Sequence, residues 1–138
     1  MTTSATDRER RAYLDSSAIL KLVQNEAETD ALRAALSHVS ARASSQLALV
    51  EVGRRARRFG EPAQAIARAV LDSTSLRPID AAVIARAVTL RPDGLRALDA
   101  IHLATALLMA PELDAFISYD RRLNEAAAAA GLNVESPA

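Results

Sequence analysis

Cysteine is absent from this 138-residue chain, which removes disulfide frameworks, zinc–thiolate centres and cysteine nucleophiles together. Histidine is scarce: His38 and His102 are the only two, too few for a histidine-rich zinc or iron centre. What remains for a metal is oxygen ligation, the preference of hard cations such as Mg²⁺ or Mn²⁺. Aromatics are 3% of the chain, with no Trp, so Tyr13, Phe59, Phe116 and Tyr119 offer little for base-stacking platforms. Neither sign of charge is in excess. Seventeen basic residues balance 17 acidic ones, and no global pull toward nucleic acid follows. Long apolar runs are missing too. The longest, around residues 97–110, is interrupted by Asp99 and His102 and falls short of the ~18 residues of a membrane span. The polar start, Met1 to Arg11, has no apolar h-region and reads as a disordered lead-in rather than a secretory signal. A soluble, cytoplasmic protein is the expectation.

What is present is an alternation of short apolar runs with longer helical patterns, the mark of an α/β domain with a mainly parallel sheet. The length suits one domain, spanning residues 12–138. Strands are expected near Ala12–Asp15, Arg42–Ser44, Ser75–Ile79, Ala115–Ser118 and Leu132–Glu135. Helices are expected near Ser17–Gln24, Glu28–Ser40, Gln46–Phe59, Pro62–Asp72, Asp80–Leu90, Leu95–Met109 and Arg121–Ala130. Punctuation at Gly60-Glu61-Pro62, Arg91-Pro92-Asp93-Gly94, Pro111 and Gly131 supports these breaks. The pattern places Asp15 and Asp120 at the carboxyl ends of two strands, where ligands of open parallel sheets collect.

Four acids, Asp15, Glu51, Asp99 and Asp120, carry the chemical signal. Asp15 and Asp120 each precede a helix and would serve as ordinary N-caps, worth about 1 kcal/mol each. Asp80 has the same capping role, and Asp93 is a turn residue. Glu51 projects away from an apolar stripe of Leu49, Val52, Ala56 and Phe59, and its plain role is a surface pair with Arg55 at i,i+4. Asp99 is harder to explain structurally. Leu95, Leu98, Ile101, Leu103, Leu107 and Leu108 wrap its helix, which implies burial, and Arg96 is the only basic neighbour on it. If the four converge, two like charges ~4 Å apart repel by about 4 kcal/mol at an effective dielectric near 20. A divalent cation would offset that, polarise a phosphodiester oxygen and activate water.

Other residues are weighed around this set. Ser16 and Ser118 either orient water or act as caps. His102, at i+3 from Asp99, reads as a core histidine with a satisfied hydrogen bond. All the basic residues but Lys21 are Arg, a bias that a GC-rich genome alone produces. Arg54-Arg55-Ala56-Arg57-Arg58 is a solvated helix face or a phosphate-positioning strip, with Arg54, Arg55 and Arg58 beside Glu51 and Arg121 beside Asp120. A phospho-acceptor signalling domain using Asp15 is a competing class. It calls for a lysine at a late strand end, whereas Lys21 follows the first strand.

Tyr13-Leu14-Asp15-Ser16-Ser17-Ala18, the helix around Glu51, Leu95-Arg96-Ala97-Leu98-Asp99-Ala100-Ile101-His102-Leu103-Ala104-Thr105-Ala106 and Phe116-Ile117-Ser118-Tyr119-Asp120 resemble, in this order, the PIN-domain ribonucleases. Within them the match is to the VapC-type toxins of bacterial toxin–antitoxin pairs, and it covers about residues 12–135. The resemblance implies a PIN-like three-layer α/β/α sandwich around a mainly parallel sheet of four to five strands. It implies that Asp15, Glu51, Asp99 and Asp120 are catalytic and hold Mg²⁺ or Mn²⁺ for RNA cleavage, as an endoribonuclease toxin of a type II system. It further implies a homodimer and inhibition by a cognate VapB-like antitoxin. Relatives often have Thr where this chain has Ser118, which keeps the hydroxyl. A PIN fold that binds a partner and cleaves nothing is the alternative that the presence of all four acids opposes.

Overall fold

The computed structural model describes residues 9–138. Its elements run β1 (Arg11–Leu14), α1 (Ser16–Val23), α2 (Thr29–Leu36), β2 (Ala41–Ser45), α3 (Leu47–Arg57), α4 (Glu61–Asp72), β3 (Ser75–Arg77), α5 (Ala81–Thr89), α6 (Ala97–Met109), β4 (Ala115–Ile117), α7 (Arg121–Ala129) and β5 (Val134–Glu135). A single 3₁₀ turn, Ala110–Glu112, joins α6 to β4. Residues 1–8 of the expected lead-in lie outside the described residues, and Arg11, its last residue, already belongs to β1.

The five strands form one parallel sheet in the order β3-β2-β1-β4-β5. Alternation along the two central strands sorts their side chains to opposite faces. Ala12, Leu14, Ala115 and Ile117 face a core shared with α1, α2, α3 and α4. Tyr13 and Phe116 face the other way, into a core with Leu103 and Ala106 of α6 and Leu123, Ala126 and Ala127 of α7. Tyr13 and Phe116 are register partners, and their rings stack with centroids 5.4 Å apart. Helices on both faces of a parallel sheet make the three layers, and five strands fill the upper end of the expected range.

Local chemistry sets the boundaries. β3 stops at Arg77 because Pro78 has no N–H for the ladder. The second helix ends at Leu36, short of the expected Ser40; Ser37 turns its Oγ back to the Ala34 carbonyl at 2.6 Å. Two apolar stripes differ from expectation. On α3 the buried residues are Leu47, Ala48, Val52 and Ala56, while Leu49 and Phe59 are exposed. Ala48, Val52 and Ala56 recur every four residues, and these compact side chains let α3 close on its neighbours. On α6 the covered face is Ala100, His102, Leu103, Ala104, Thr105 and Ala106, and Leu98 is exposed. Asp99 is consequently half-buried, not enclosed as its leucine-rich neighbourhood suggests.

The topology positions a site. From β1 the chain builds β2 and β3 on one side, then returns to place β4 and β5 on the other. Strand order therefore reverses between β1 and β4, and a crevice opens beyond their carboxyl ends. Asp15 follows β1 and Ser118 to Asp120 follow β4.

Candidate active site

One cleft at that crevice, of about 330 Å³, is lined by all four acids, Asp15, Glu51, Asp99 and Asp120, with Ser16, His102, Arg55 and Arg96 among the other lining residues. Four elements supply the acids. Asp15 caps α1, Glu51 sits in the middle of α3, Asp99 lies in the first turn of α6 and Asp120 caps α7.

Capping and lining the cleft prove compatible. Asp15, 3% exposed, accepts the Ala18 N–H at 3.0 Å and the Ser17 hydroxyl at 2.6 Å on Oδ1. Its Oδ2 accepts the Ser118 hydroxyl at 2.8 Å. Burial pushes the Asp15 carboxyl up from the usual carboxylate value, against the pull of these hydrogen bonds and of His102. Ser118 Oγ also accepts the Asp120 N–H at 3.1 Å, and Ser17 Oγ accepts the Tyr119 N–H at 2.9 Å. The two serines thus tie the segment after β1 to the segment after β4. Asp120 caps α7 with Oδ1 on the Leu123 N–H at 3.1 Å.

Glu51 does not pair with Arg55. Its Oε1 accepts the Ser16 hydroxyl at 2.7 Å and lies 2.8 Å from His102 Nε2. Because a carboxylate only accepts, Nε2 is the donor. Burial alone would raise the Glu51 carboxyl; hydrogen bonds from His102 and Ser16 outweigh it and hold the group below its ordinary value. On the far side of the imidazole, Tyr13 Oη lies 2.7 Å from Nδ1. Burial pushes the Tyr13 phenol well up from its ordinary value, so the hydroxyl beside Nδ1 keeps its proton. Tyr13, His102 and Glu51 form a chain from the core to the cleft.

Asp99 differs from the other three. Among the described residues its carboxylate accepts no hydrogen bond. Partial burial raises its pKa first, followed by the negative charge of Asp120; Asp15 and Glu51 add to it, and only His102 opposes. Asp99 therefore feels the other three acids across the cleft. Among the described residues no three His, Asp or Glu side chains close into a formed metal cage. Asp15, Glu51 and Asp120 are each held by hydrogen bonds from the protein, apart from one another. The donor set nonetheless fits a hard divalent cation. It consists of carboxylate oxygens, and Asp99, with no donor among the described residues, stands under a repulsion from the other three acids that a cation would relieve.

The arginines divide. Arg54, Arg55 and Arg58, with Arg57, line a groove of about 850 Å³ along α3 that meets the cleft at Glu51, Arg55 and Leu98. None of these four makes an ion pair among the described residues. Arg121 is exposed and lines none of the cavities that meet at the cleft. Sequence reasoning passed over Ser17 and the cleft position of Arg96, and it assigned His102 to the core. Ser17 was hidden in the Asp-Ser-Ser run, and Arg96 was weighed only as a neighbour of Asp99. His102 does satisfy a core hydrogen bond, but its second nitrogen orients Glu51, for which the i+3 spacing from Asp99 was the signal.

Comparison with known proteins follows the same lines. Residues 12–129 match the family model described as PIN domain. The chain is 42% identical over 130 residues to a protein named Ribonuclease VapC47 from Mycobacterium tuberculosis strain CDC 1551 / Oshkosh, covering 91% of this chain and 96% of that one. It is 44% identical over 125 residues to Ribonuclease VapC46 of strain ATCC 25618 / H37Rv, with coverage of 91% and 96%. Its fold superposes on a toxin–antitoxin complex from Klebsiella pneumoniae with a TM-score of 0.69 at 24% identity, covering 92% of this chain and 98% of that one. The same holds for VapBC2 from Rickettsia felis bound to a promoter DNA fragment, at a TM-score of 0.70, 11% identity and coverage of 93% and 99%.

Proposed function

The chain belongs to the PIN-domain family, and from that premise we propose that it is a divalent-metal-dependent endoribonuclease acting as the toxin of a VapBC-like pair. The observation that carries the reading is the half-buried Asp99 carboxylate, without a donor among the described residues and raised first by burial and then by the three other acids of one cleft. The names of its relatives, ribonucleases at 42% and 44% identity over 91% of the chain, support the same chemistry.

In this reading Asp15, Asp99, Asp120 and Glu51 hold Mg²⁺ or Mn²⁺. Such a cation, when bound, supplies the charge that polarises a phosphodiester and activates water. The remaining work falls to the chain. Ser17 and Ser118 fix the Asp15 carboxylate, and Ser16 and His102 fix Glu51, so that both stay oriented. Arg55 and Arg96, at the cleft, neutralise substrate phosphates, and Arg54 and Arg58 extend that contact along α3. Arg121 contributes at most a peripheral contact. A VapB-like antitoxin inhibits the enzyme, which acts in the cytoplasm as a homodimer. Exposed Ile84 and Val88 on α5, the latter 82% exposed, give self-association an apolar face. No helix among the described residues is long and apolar enough to cross a membrane.

Purified, antitoxin-free protein incubated with total bacterial RNA tests the reading. Discrete fragments are expected with Mg²⁺ or Mn²⁺ and none with EDTA. Intact RNA under every metal, from well-folded protein, would support the binding-only alternative instead.

A further inference from the structure

A second cavity, of about 270 Å³, adjoins the cleft and shares Ser17, Leu20 and Arg55 with it. The cleavage chemistry leaves the rest of this cavity without a task. Its walls include Phe59 and Tyr119, half of the chain's aromatic residues. The sequence scatters these rings sixty residues apart, and the fold sets both beside the acids.

Tyr119 is a fixed wall. Its hydroxyl donates to the Pro137 carbonyl at 2.7 Å, and its N–H donates to Ser17 Oγ at 2.9 Å. Lys21 Nζ stands 4.9 Å from its ring centroid, itself held by Glu26 at 3.0 Å and Glu28 at 2.8 Å. Phe59 is the free surface. It sits just past α3, 47% exposed, on a turn that Gly60 makes with φ +94°, a conformation that side chains other than hydrogen resist. The Gln24 amide also lines the cavity and makes no hydrogen bond among the described residues, leaving a donor and an acceptor for a guest. Arg55 stands where cleft, arginine groove and this cavity meet, without an ion-pair partner among the described residues.

From this juxtaposition we propose that the cavity receives one unpaired nucleobase of the RNA, flanking the scissile phosphate, with Phe59 as its stacking surface and Gln24 reading its edge. The inference rests on the ribonuclease reading above. Stacking on an aromatic face plus an amide at the base edge is how single-stranded RNA is read, and a paired base in an A-form helix does not reach such a pocket. The volume lies below the ~300–1,000 Å³ of drug-sized pockets, a size for one base rather than a stacked run. Arg55 supplies the phosphate contact that brings the adjoining base to the pocket. Phe59 and Gln24 are thus specificity-determining residues.

The test measures binding of fluorescent single-stranded oligonucleotides to the cleavage-deficient Asp99→Asn protein in Mg²⁺. Adding Phe59→Ala is expected to weaken binding about 5- to 150-fold, the usual effect of removing one stacking ring. Phe59→Trp should restore it, and Leu49→Ala, which removes an exposed side chain of α3 outside this cavity, should leave it unchanged. Gln24→Ala should level the affinities for oligo-A, -C, -G and -U. RNA binding by the parent that Phe59→Ala leaves unchanged overturns the proposal alone, even if that variant loses a protein partner. RNA that this parent does not bind and that the native protein in Mg²⁺ does not cleave overturns the ribonuclease reading and this inference with it.

Discussion

The Asp99→Asn protein is expected to lose at least about a hundredfold of its RNA cleavage, some 2.7 kcal/mol of transition-state stabilisation, while folding normally. At neutral pH in EDTA it should also melt above the native chain. Both effects come from one observation: Asp99 is half-buried, accepts no hydrogen bond among the described residues, and is raised first by burial and then by Asp120, Asp15 and Glu51. A carboxyl raised on folding gives stability that is fully present below its unfolded value and lost as pH rises through its folded value. At pH 7 the ionised Asp99 therefore strains the fold, and the amide does not. The gap in Tm should narrow as pH falls into the carboxylate range, where Asp99 takes up its proton early. Full cleavage by the variant would remove Asp99 from the chemistry. A lower Tm at neutral pH would make it a structural aspartate.

His102→Ala is expected to destabilise the protein by about 2–4 kcal/mol and to cut cleavage about 10–100-fold. The residue is 2% exposed, and its ring joins Tyr13 Oη at 2.7 Å to Glu51 Oε1 at 2.8 Å. Truncation leaves a void and takes the 2.7 Å His102 partner from the buried Tyr13 phenol. Glu51 is better placed to recover, since Ser16 still donates to it at 2.7 Å and part of it is exposed. The stability loss thus belongs mainly to Tyr13 and the activity loss mainly to Glu51. Urea unfolding and cleavage rates on Tyr13→Phe, Glu51→Gln and His102→Ala separate the two. Native activity in a destabilised His102→Ala protein would confine the histidine to the core.

Much of this molecule is legible in the amino-acid sequence alone. Strand-end positions followed from short apolar runs ending at Asp15 and just before Asp120, and the switch point between β1 and β4 brings both to one crevice. Asp99 stood out because an acid on a leucine-rich helix needs a reason. Side-chain partners were less accessible. Helical spacing offered Arg55 to Glu51, yet a tertiary approach of α1 and α6 supplies Ser16 and His102 instead. Periodicity also favoured large residues, so Leu49 and Phe59 were placed in the core of α3, where close packing selected Ala48, Val52 and Ala56.

Anomalous scattering from crystals soaked in Mn²⁺ tests the central claim most directly. A peak within the cleft, touching carboxylate oxygens of Asp15, Asp99 and Asp120 and vanishing in Asp99→Asn, is the expected result. Saturating Mn²⁺ that leaves the cleft empty, or binds elsewhere while RNA is still cut, would contradict a carboxylate-built nuclease centre at this sheet edge.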